Sequence, residues 1–385
     1  MAGVYYPAPV SWPVIVTAGG PRERGRAYGT QARERVHASL SLYEQIVDHY
    51  TGMAWAEARA RAGAFAEPMD SEDPRLLPEI EGIAEGAGVD AEDVLTLNVR
   101  TELMFGMRRP GAPIPEECTA VCAGPSETSG GRVLLAQNWD WKPGARDTCV
   151  VLVAAPEGAP GFVTLVEAGL LAKCGVSESG IGVAANALES SNDRGEPGMP
   201  FHAILRRILT SATFDEAVDA VNGARRSSSA NYLIASADGT AADLEAAPGG
   251  PDQVHRMEGP RLVHTNHFLR AGRSFKDLAL ISPGSTSVHR QTRAETRIAA
   301  IETGALTIDA LRDVLRDHDG HPGSVCKHRS AGTADLDDSV TIASFGADLT
   351  GGTMWTSEGP SCEVPLDPIE VAAAVADARA RAPHI

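Results

Sequence analysis

Lysine is scarce in this chain: four lysines stand against thirty arginines. Alanine is abundant beside them, so the skew reads as genomic composition bias rather than chemistry. It makes each lysine, Lys327 among them, more worth following. Basic charge is in deficit overall, with 34 Lys and Arg against 51 Asp and Glu and a formal net charge of −17. That balance excludes nucleic acid and an anionic membrane as main partners, because both need a basic surface. Simple solubility explains the acidity better than selection for cationic substrates. No run approaches the ~18 apolar residues of a membrane span. The start, Met1-Ala2-Gly3-Val4-Tyr5-Tyr6-Pro7, has no basic n-region and no sustained apolar stretch, so no secretory signal is read and a cytoplasmic location is expected. Cys118, Cys122, Cys149, Cys174, Cys326 and Cys362 are scattered without a disulfide framework. No internal repeat is visible.

What is present is a chain of 385 residues, long enough to bury a large core as one large domain or two. A short strand at 12–17 leads into Gly19-Gly20-Pro21-Arg22-Glu23-Arg24-Gly25-Arg26-Ala27-Tyr28-Gly29. The glycine spacing is wrong for a phosphate-binding loop, and a strand-to-helix turn is the better reading. Val36, Leu40, Tyr43, Ile46 and Val47 fall at helical spacing and predict a helix over about 30–50. Helices near 54–66, 74–88 and 90–106 follow, the second opened by Asp73-Pro74. Residues 1–117 therefore form a mostly helical segment. Its end, 108–117, is rich in Pro and charge and reads as an exposed linker that tolerates cutting.

Beyond the linker, strands are expected at 118–123, 132–138, 148–154, 161–167, 170–176 and 180–186, with helices at 200–210 and 214–222. Further strands are read at 230–236, 241–246, 253–257 and 261–266, helices at 291–302 and 307–316, and last strands at 339–345 and 353–356. This order predicts an α+β sandwich with helices packed outside antiparallel sheets, the core being 118–385.

Cys118 opens the strand texture directly after the linker, with Thr119 beside it. A cysteine among small residues is most often a packed core residue. Its place changes that: if the chain is cut before Cys118, the cysteine gains an α-amino group that titrates near 7.7–8.0 and can take the thiol proton. The cut itself follows from attack of the thiol on the Glu117 carbonyl carbon, a thioester, and water. Asp140, at the end of the next strand, is a turn-capping residue or the carboxylate that orients the new ammonium. Gln137 and Asn138 satisfy buried backbone groups or orient substrate. Asn186 and Asn266 are candidate donors to an oxyanion, and His264 shares a strand face with Asn266 in the reading of 261–266. His264 and His267 would lie on opposite faces of that strand, so a shared ion is poorly placed and no metal is expected. Cys118 and Cys122 lack a second pair at zinc spacing.

Cys118-Thr119-Ala120, Gln137-Asn138-Trp139-Asp140, Glu167-Ala168-Gly169, Asn186-Ala187-Leu188, His264-Thr265-Asn266-His267 and Ser324-Val325-Cys326-Lys327 occur in this order. Together with Pro21–Gly25 and Asn98–Glu102 they resemble the acyl-coenzyme A:isopenicillin N acyltransferase family, also called the C45 peptidases for their self-cleavage. The resemblance implies the Ntn-hydrolase αββα fold and maturation between Glu117 and Cys118. It also implies Cys118 as nucleophile and base through its own amine, Asp140 beside that amine, and Asn186 and Asn266 at the oxyanion. The family usually carries an arginine where this chain has Lys327, which keeps the charge without the planar fork, and a glycine where it has Glu117.

The function expected is a self-processing amidohydrolase or acyltransferase. It would act on a small N-acylated amine, amino-acid conjugate or acyl thioester through a thioester on Cys118. Gln137, Asn138 and His264 are read as substrate-binding. No cofactor is expected and nothing marks a coenzyme A site. The two fragments would stay with each other, and homo-oligomerisation is left open. The alternative is an uncut, non-catalytic relative that binds a small acylated ligand.

Overall fold

A computed structural model describes residues 12–109, 111–112, 117–270, 273–282 and 284–381, with only the backbone of Glu117. The start of the chain and most of the Pro-rich stretch 110–116 lie outside the described residues.

Two sheets face one another. The larger contains β1 (Val14–Gly19), β4 (Cys149–Pro156), β5 (Phe162–Glu167), β6 (Cys174–Ser177), β7 (Ile181–Ala187), β8 (Ala230–Ser236), β9 (Ala241–Ala246) and β10 (Val254–Met257), in that spatial order. The smaller runs β11 (Arg261–His264), β2 (Glu117–Ala123), β3 (Leu134–Trp141), β12 (Val340–Asp348), β13 (Thr353–Ser357) and β14 (Asp367–Glu370). Every pairing is antiparallel except that of β1 with β4. The sheets meet through β2 and β3 against β7. There a Cβ on Gly182 would lie 2.6 Å from Leu349 Cδ2, so a larger residue would require that leucine to shift. Both faces of β3 and β12 are covered, which is why every residue of each is buried and neither alternates in polarity.

Helices cover the outer faces. The N-terminal set is α1 (Pro21–Gln31), α2 (Arg33–Thr51), α3 (Trp55–Ala62), α4 (Ala66–Glu72), α5 (Leu76–Ala87), α6 (Ala91–Asn98) and α7 (Arg100–Gly106). Next come α8 (Phe201–Leu209) and α9 (Phe214–Asn222), packed on β7 and β8. On the other side α10 (Leu278–Ile281) precedes α11 (Ser287–Ala299) and α12 (Ile308–Leu315), which cover β2, β11, β3 and β12; α13 (Val371–Arg381) lies on β1, β4 and β5. The layers run helix, sheet, sheet, helix, the expected αββα sandwich.

The helical first segment is not an appendage. It supplies β1 to the large sheet, and Tyr28, Val36 and Tyr43 pack into the common core. Gly25 and Gly29 lie within a helix rather than in the turn expected there; the turn is confined to Gly19 (φ 97°) and Gly20. Helix propensity is overridden because α1 and α5 touch backbone to backbone. A Cβ on Gly25 would sit 2.1 Å from the Glu79 carbonyl oxygen, and one on Gly82 2.2 Å from that of Arg22. The helix read at 90–106 is two, broken at Val99, and the strand read from 170 begins at Cys174. Strand β11 ends at His264, so the argument that Asn266 shares its face with His264 does not hold.

Candidate active site

Strands β2 and β3 place Cys118 opposite Trp139 and Glu117 opposite Asp140. Asp140 is thus one register position from Cys118. Strand alternation directs its side chain to the face carrying Asn138 and Thr341, away from Trp139. Cys118 is fully buried, with its Sγ 4.0 Å from the Asp140 carbonyl oxygen. Its backbone N–H donates to Asn266 Oδ1 at 2.6 Å.

Arg290, on α11, completes the cluster. Its guanidinium donates to the Cys118 carbonyl at 2.6 Å, to Thr119 Oγ1 at 3.0 Å and to Asn266 Oδ1 at 2.9 Å. It is wholly buried. Burial lowers its pKa, while Asp140 and Cys118 oppose that shift. Burial pushes the Asp140 carboxyl up to about 7, against the pull of Arg290 and a 2.6 Å hydrogen bond from Thr341 Oγ1. Among the described residues Asp140 Oδ2 has no hydrogen-bond partner.

The asparagines are oriented by their partners. Asn266 Oδ1 faces two donors, so its amide nitrogen turns to the Ala187 carbonyl at 3.0 Å. Asn186 Nδ2 donates to the His264 carbonyl at 2.8 Å and reaches Asn231 Oδ1 at 3.4 Å, while its own oxygen accepts from Gln137 at 2.8 Å. Both hydrogens of Asn186 are thus committed in the uncut chain, which does not fit its reading as a ready oxyanion donor.

The residues read as substrate-binding fall elsewhere. Gln137 points between the sheets and donates to the Ala185 carbonyl at 2.7 Å. Asn138 points to the outer layer, where it donates to the carbonyls of Leu315 and Val325 and accepts from Ser344. His264 is fully buried between Glu245 Oε1 at 3.1 Å and the Thr265 carbonyl at 2.9 Å. All three satisfy buried polar groups; they hold the scaffold and do not line the cleft next to Asn266. His267 bonds Ser287 Oγ at 2.8 Å.

That cleft has a volume of about 420 Å³ and is lined by Asn266, Thr286, Lys142, Lys327, Asp337 and Asp338, among others. Lys327 is almost fully buried; burial drives its ammonium down to about 7, with Asp338 opposing. Asn266 therefore links the cleft to Cys118, which is itself covered in the uncut chain.

Residues 126–361 match the model of the family described as acyl-coenzyme A:6-aminopenicillanic acid acyl-transferase. The chain belongs to this family. The matched span starts after Cys118 and takes in Asp140, Asn186, Asn266, Arg290 and Lys327. A curated relative, the acyl-coenzyme A:6-aminopenicillanic-acid-acyltransferase 40 kDa form of Emericella nidulans, is 27% identical over 314 residues, covering 81% of this chain and 84% of that one. Among solved structures, a conjugated bile acid hydrolase from Clostridium perfringens matches with a TM-score of 0.41 and 12% identity over 63% of this chain and 89% of that one. Penicillin V acylase from Agrobacterium tumefaciens matches at 0.38 and 17%, over 63% and 82%. Membership of the family supports acyl-group chemistry as the class to which this chain belongs. Among the described residues no helix is long and apolar enough to cross a membrane.

Arg290 escaped the sequence reading. It lies mid-helix among other arginines, 172 residues from Cys118, and no local pattern distinguishes it.

Proposed function

We propose that the chain cuts itself between Glu117 and Cys118 and then works as an N-terminal-cysteine amidohydrolase or acyltransferase on a small N-acylated amine or amino-acid conjugate. The observation that carries this reading is the 2.6 Å bond from the Cys118 N–H to Asn266 Oδ1, set beside buried Asp140 and Arg290. A buried amide held by a side-chain acceptor next to a carboxylate is already placed to become an ammonium.

In the cut, Cys118 Sγ bonds to the Glu117 carbonyl carbon, the C–N bond breaks, and the thiol proton passes to the departing amine. Water then hydrolyses the thioester, leaving the Glu117 carboxylate, a free thiol and the α-amine of Cys118. Asn266 Oδ1 and Asp140 receive the N–H groups of that amine, and Arg290 balances the carboxylate. In turnover the amine accepts the thiol proton, the thiolate attacks the substrate carbonyl, and the amine returns a proton to the leaving nitrogen. The second hydrogen of Asn266 Nδ2 is the donor offered to the oxyanion. Water or an amine takes the acyl group from the thioester.

The cleft supports the substrate class. Lys142, Lys327, Asp337 and Asp338 give it a polar wall of both signs suited to the amine or amino-acid part of a conjugate, and Leu280 and Ile281 of α10 leave exposed apolar surface beside Ala279, which lines it. Both fragments remain one body, because β1 and the buried tyrosines of the first segment belong to the common core.

Denaturing electrophoresis and N-terminal sequencing test the reading. Two fragments, the larger starting Cys-Thr-Ala, are expected, with turnover of N-acyl amines; the Cys118→Ala chain should stay whole and inert. A wild-type chain that remains intact yet binds acylated ligands would make it the non-catalytic relative instead.

A further inference from the structure

Far from Cys118 in sequence, four side chains converge that the acyl chemistry does not use. His318 follows α12, Cys326 and His328 lie in the connection from α12 to β12, and Cys362 lies between β13 and β14. Their ligand atoms all fall within 4.8 Å of one another, and they are the one such His/Cys group among the described residues. Cys326 Sγ is 3.4 Å from Cys362 Sγ, and His328 Nε2 is 3.5 Å from each sulfur. His318 Nε2 is 3.0 Å from His328 Nε2.

A tetrahedral zinc ion with bonds of about 2.3 Å to sulfur and about 2.0–2.1 Å to nitrogen fixes these edges by geometry. They come to about 3.8 Å for S···S, about 3.6 Å for S···N and about 3.3 Å for N···N. The four measured edges lie within a few tenths of an ångström of those values. The two from His318 to the sulfurs are at most 4.8 Å, and His318 is exposed. The sulfurs are too far apart for a disulfide bond. Behind the cluster, Glu363 Oε1 lies 3.3 Å from His328 Nδ1. A carboxylate on the second ring nitrogen is what fixes a ligating imidazole in the right tautomer.

We propose that His318, Cys326, His328 and Cys362 form a structural zinc site that pins the wall of the cleft carrying Lys327. Two thiolates and two neutral imidazoles suit zinc, and four protein ligands leave no open position for catalysis. Binding releases the two thiol protons. Lys327 stands between Cys326 and His328, so the ion ties the β13–β14 connection at Cys362 to the segment that shapes the cleft. The residues escaped a search for paired short spacings because the set runs His-x7-Cys-x-His with its last cysteine far downstream.

The test uses the full chain carrying Cys118→Ala, so that self-cleavage has no bearing on it. Protein purified under reductant and stripped with a chelator is titrated with Co(II) and then Zn(II), and the metal content of unstripped protein is measured. One zinc per chain is expected, with visible absorption of tetrahedral thiolate-bound cobalt that zinc abolishes and a melting temperature raised by the ion. His318→Ala removes an exposed ligand without disturbing the core and should weaken binding at least tenfold. Cys362→Ser should weaken the thiolate band markedly, whereas Cys122→Ser should leave it unchanged. Folded, reduced protein that takes up no cobalt, or uptake unchanged in both ligand variants, would overturn the proposal. So would a purified Cys326–Cys362 disulfide whose reduction yields no binding.

Discussion

The side-chain oxygen of Asn266 accepts the backbone N–H of Cys118 at 2.6 Å, across 148 residues of sequence. The same oxygen takes a second bond from Arg290. Asn266 thereby turns its oxygen to the nitrogen that the cut would free, and only the second hydrogen of its amide nitrogen, beside the one given to the Ala187 carbonyl, is left for an oxyanion.

Asn266→Ala should slow self-cleavage about tenfold to a hundredfold, the worth of one hydrogen bond to a group acquiring charge. Time courses of fragment appearance measure it. Asn266→Asp keeps the acceptor and should process faster than the alanine variant; equal rates would show that the acceptor is idle.

Arg290→Gln leaves Asp140 without its opposing charge in a fully buried site. It also removes the donor to three buried acceptors, and each buried group left unsatisfied costs about 1–3 kcal/mol, readable by urea denaturation of the Cys118→Ala chain. Arg290→Lys should not restore cleavage, since three separate acceptors use the planar fork.

The Asp140 carboxyl should make the uncut chain less stable as pH rises. Its folded pKa stands near 7 against an ordinary 3.8. The unfolded chain thus releases the proton first, and the stability present below about pH 4 is lost on the way to about pH 7. Glu102 and Glu189, also pushed up to about 7 by burial, contribute in the same direction. Comparing Cys118→Ala with Cys118→Ala/Asp140→Asn isolates Asp140. The difference should grow over that window to at most about 4 kcal/mol in favour of the asparagine, and a difference independent of pH would place the Asp140 pKa near its ordinary value.

Gly25→Ala and Gly82→Ala should each destabilise by about 1–3 kcal/mol, because overpacking forces α1 and α5 apart. Gly63→Ala is the matched control: its Cβ would meet nothing within 4 Å at φ −54°, and thermal melts should show it neutral or slightly more stable.

Much of this was legible along the chain. The ordered motifs carry the family, and strands and helices follow from period and punctuation. The Pro-rich stretch before Cys118 marks the junction. Other features were not. Gly25 and Gly29 look like a turn until α5 arrives to need their missing side chains. Gln137 and Asn138, adjacent and equally polar, look like one substrate-binding pair. Strand alternation sends the first between the sheets and the second under α12, each to a structural duty.

The sequence by itself determined the family and where the chain changes from helices to sandwich, and it singled out Cys118 as the candidate thiol, because all three are local: a junction, a motif, a period. Only the tertiary structure decided what surrounds that thiol. Arg290, Asn266, Thr341 and the His318–Cys326–His328–Cys362 group meet their partners through packing of distant elements. The strength of charge and hydrogen bonds there depends on a burial that no single stretch of sequence encodes.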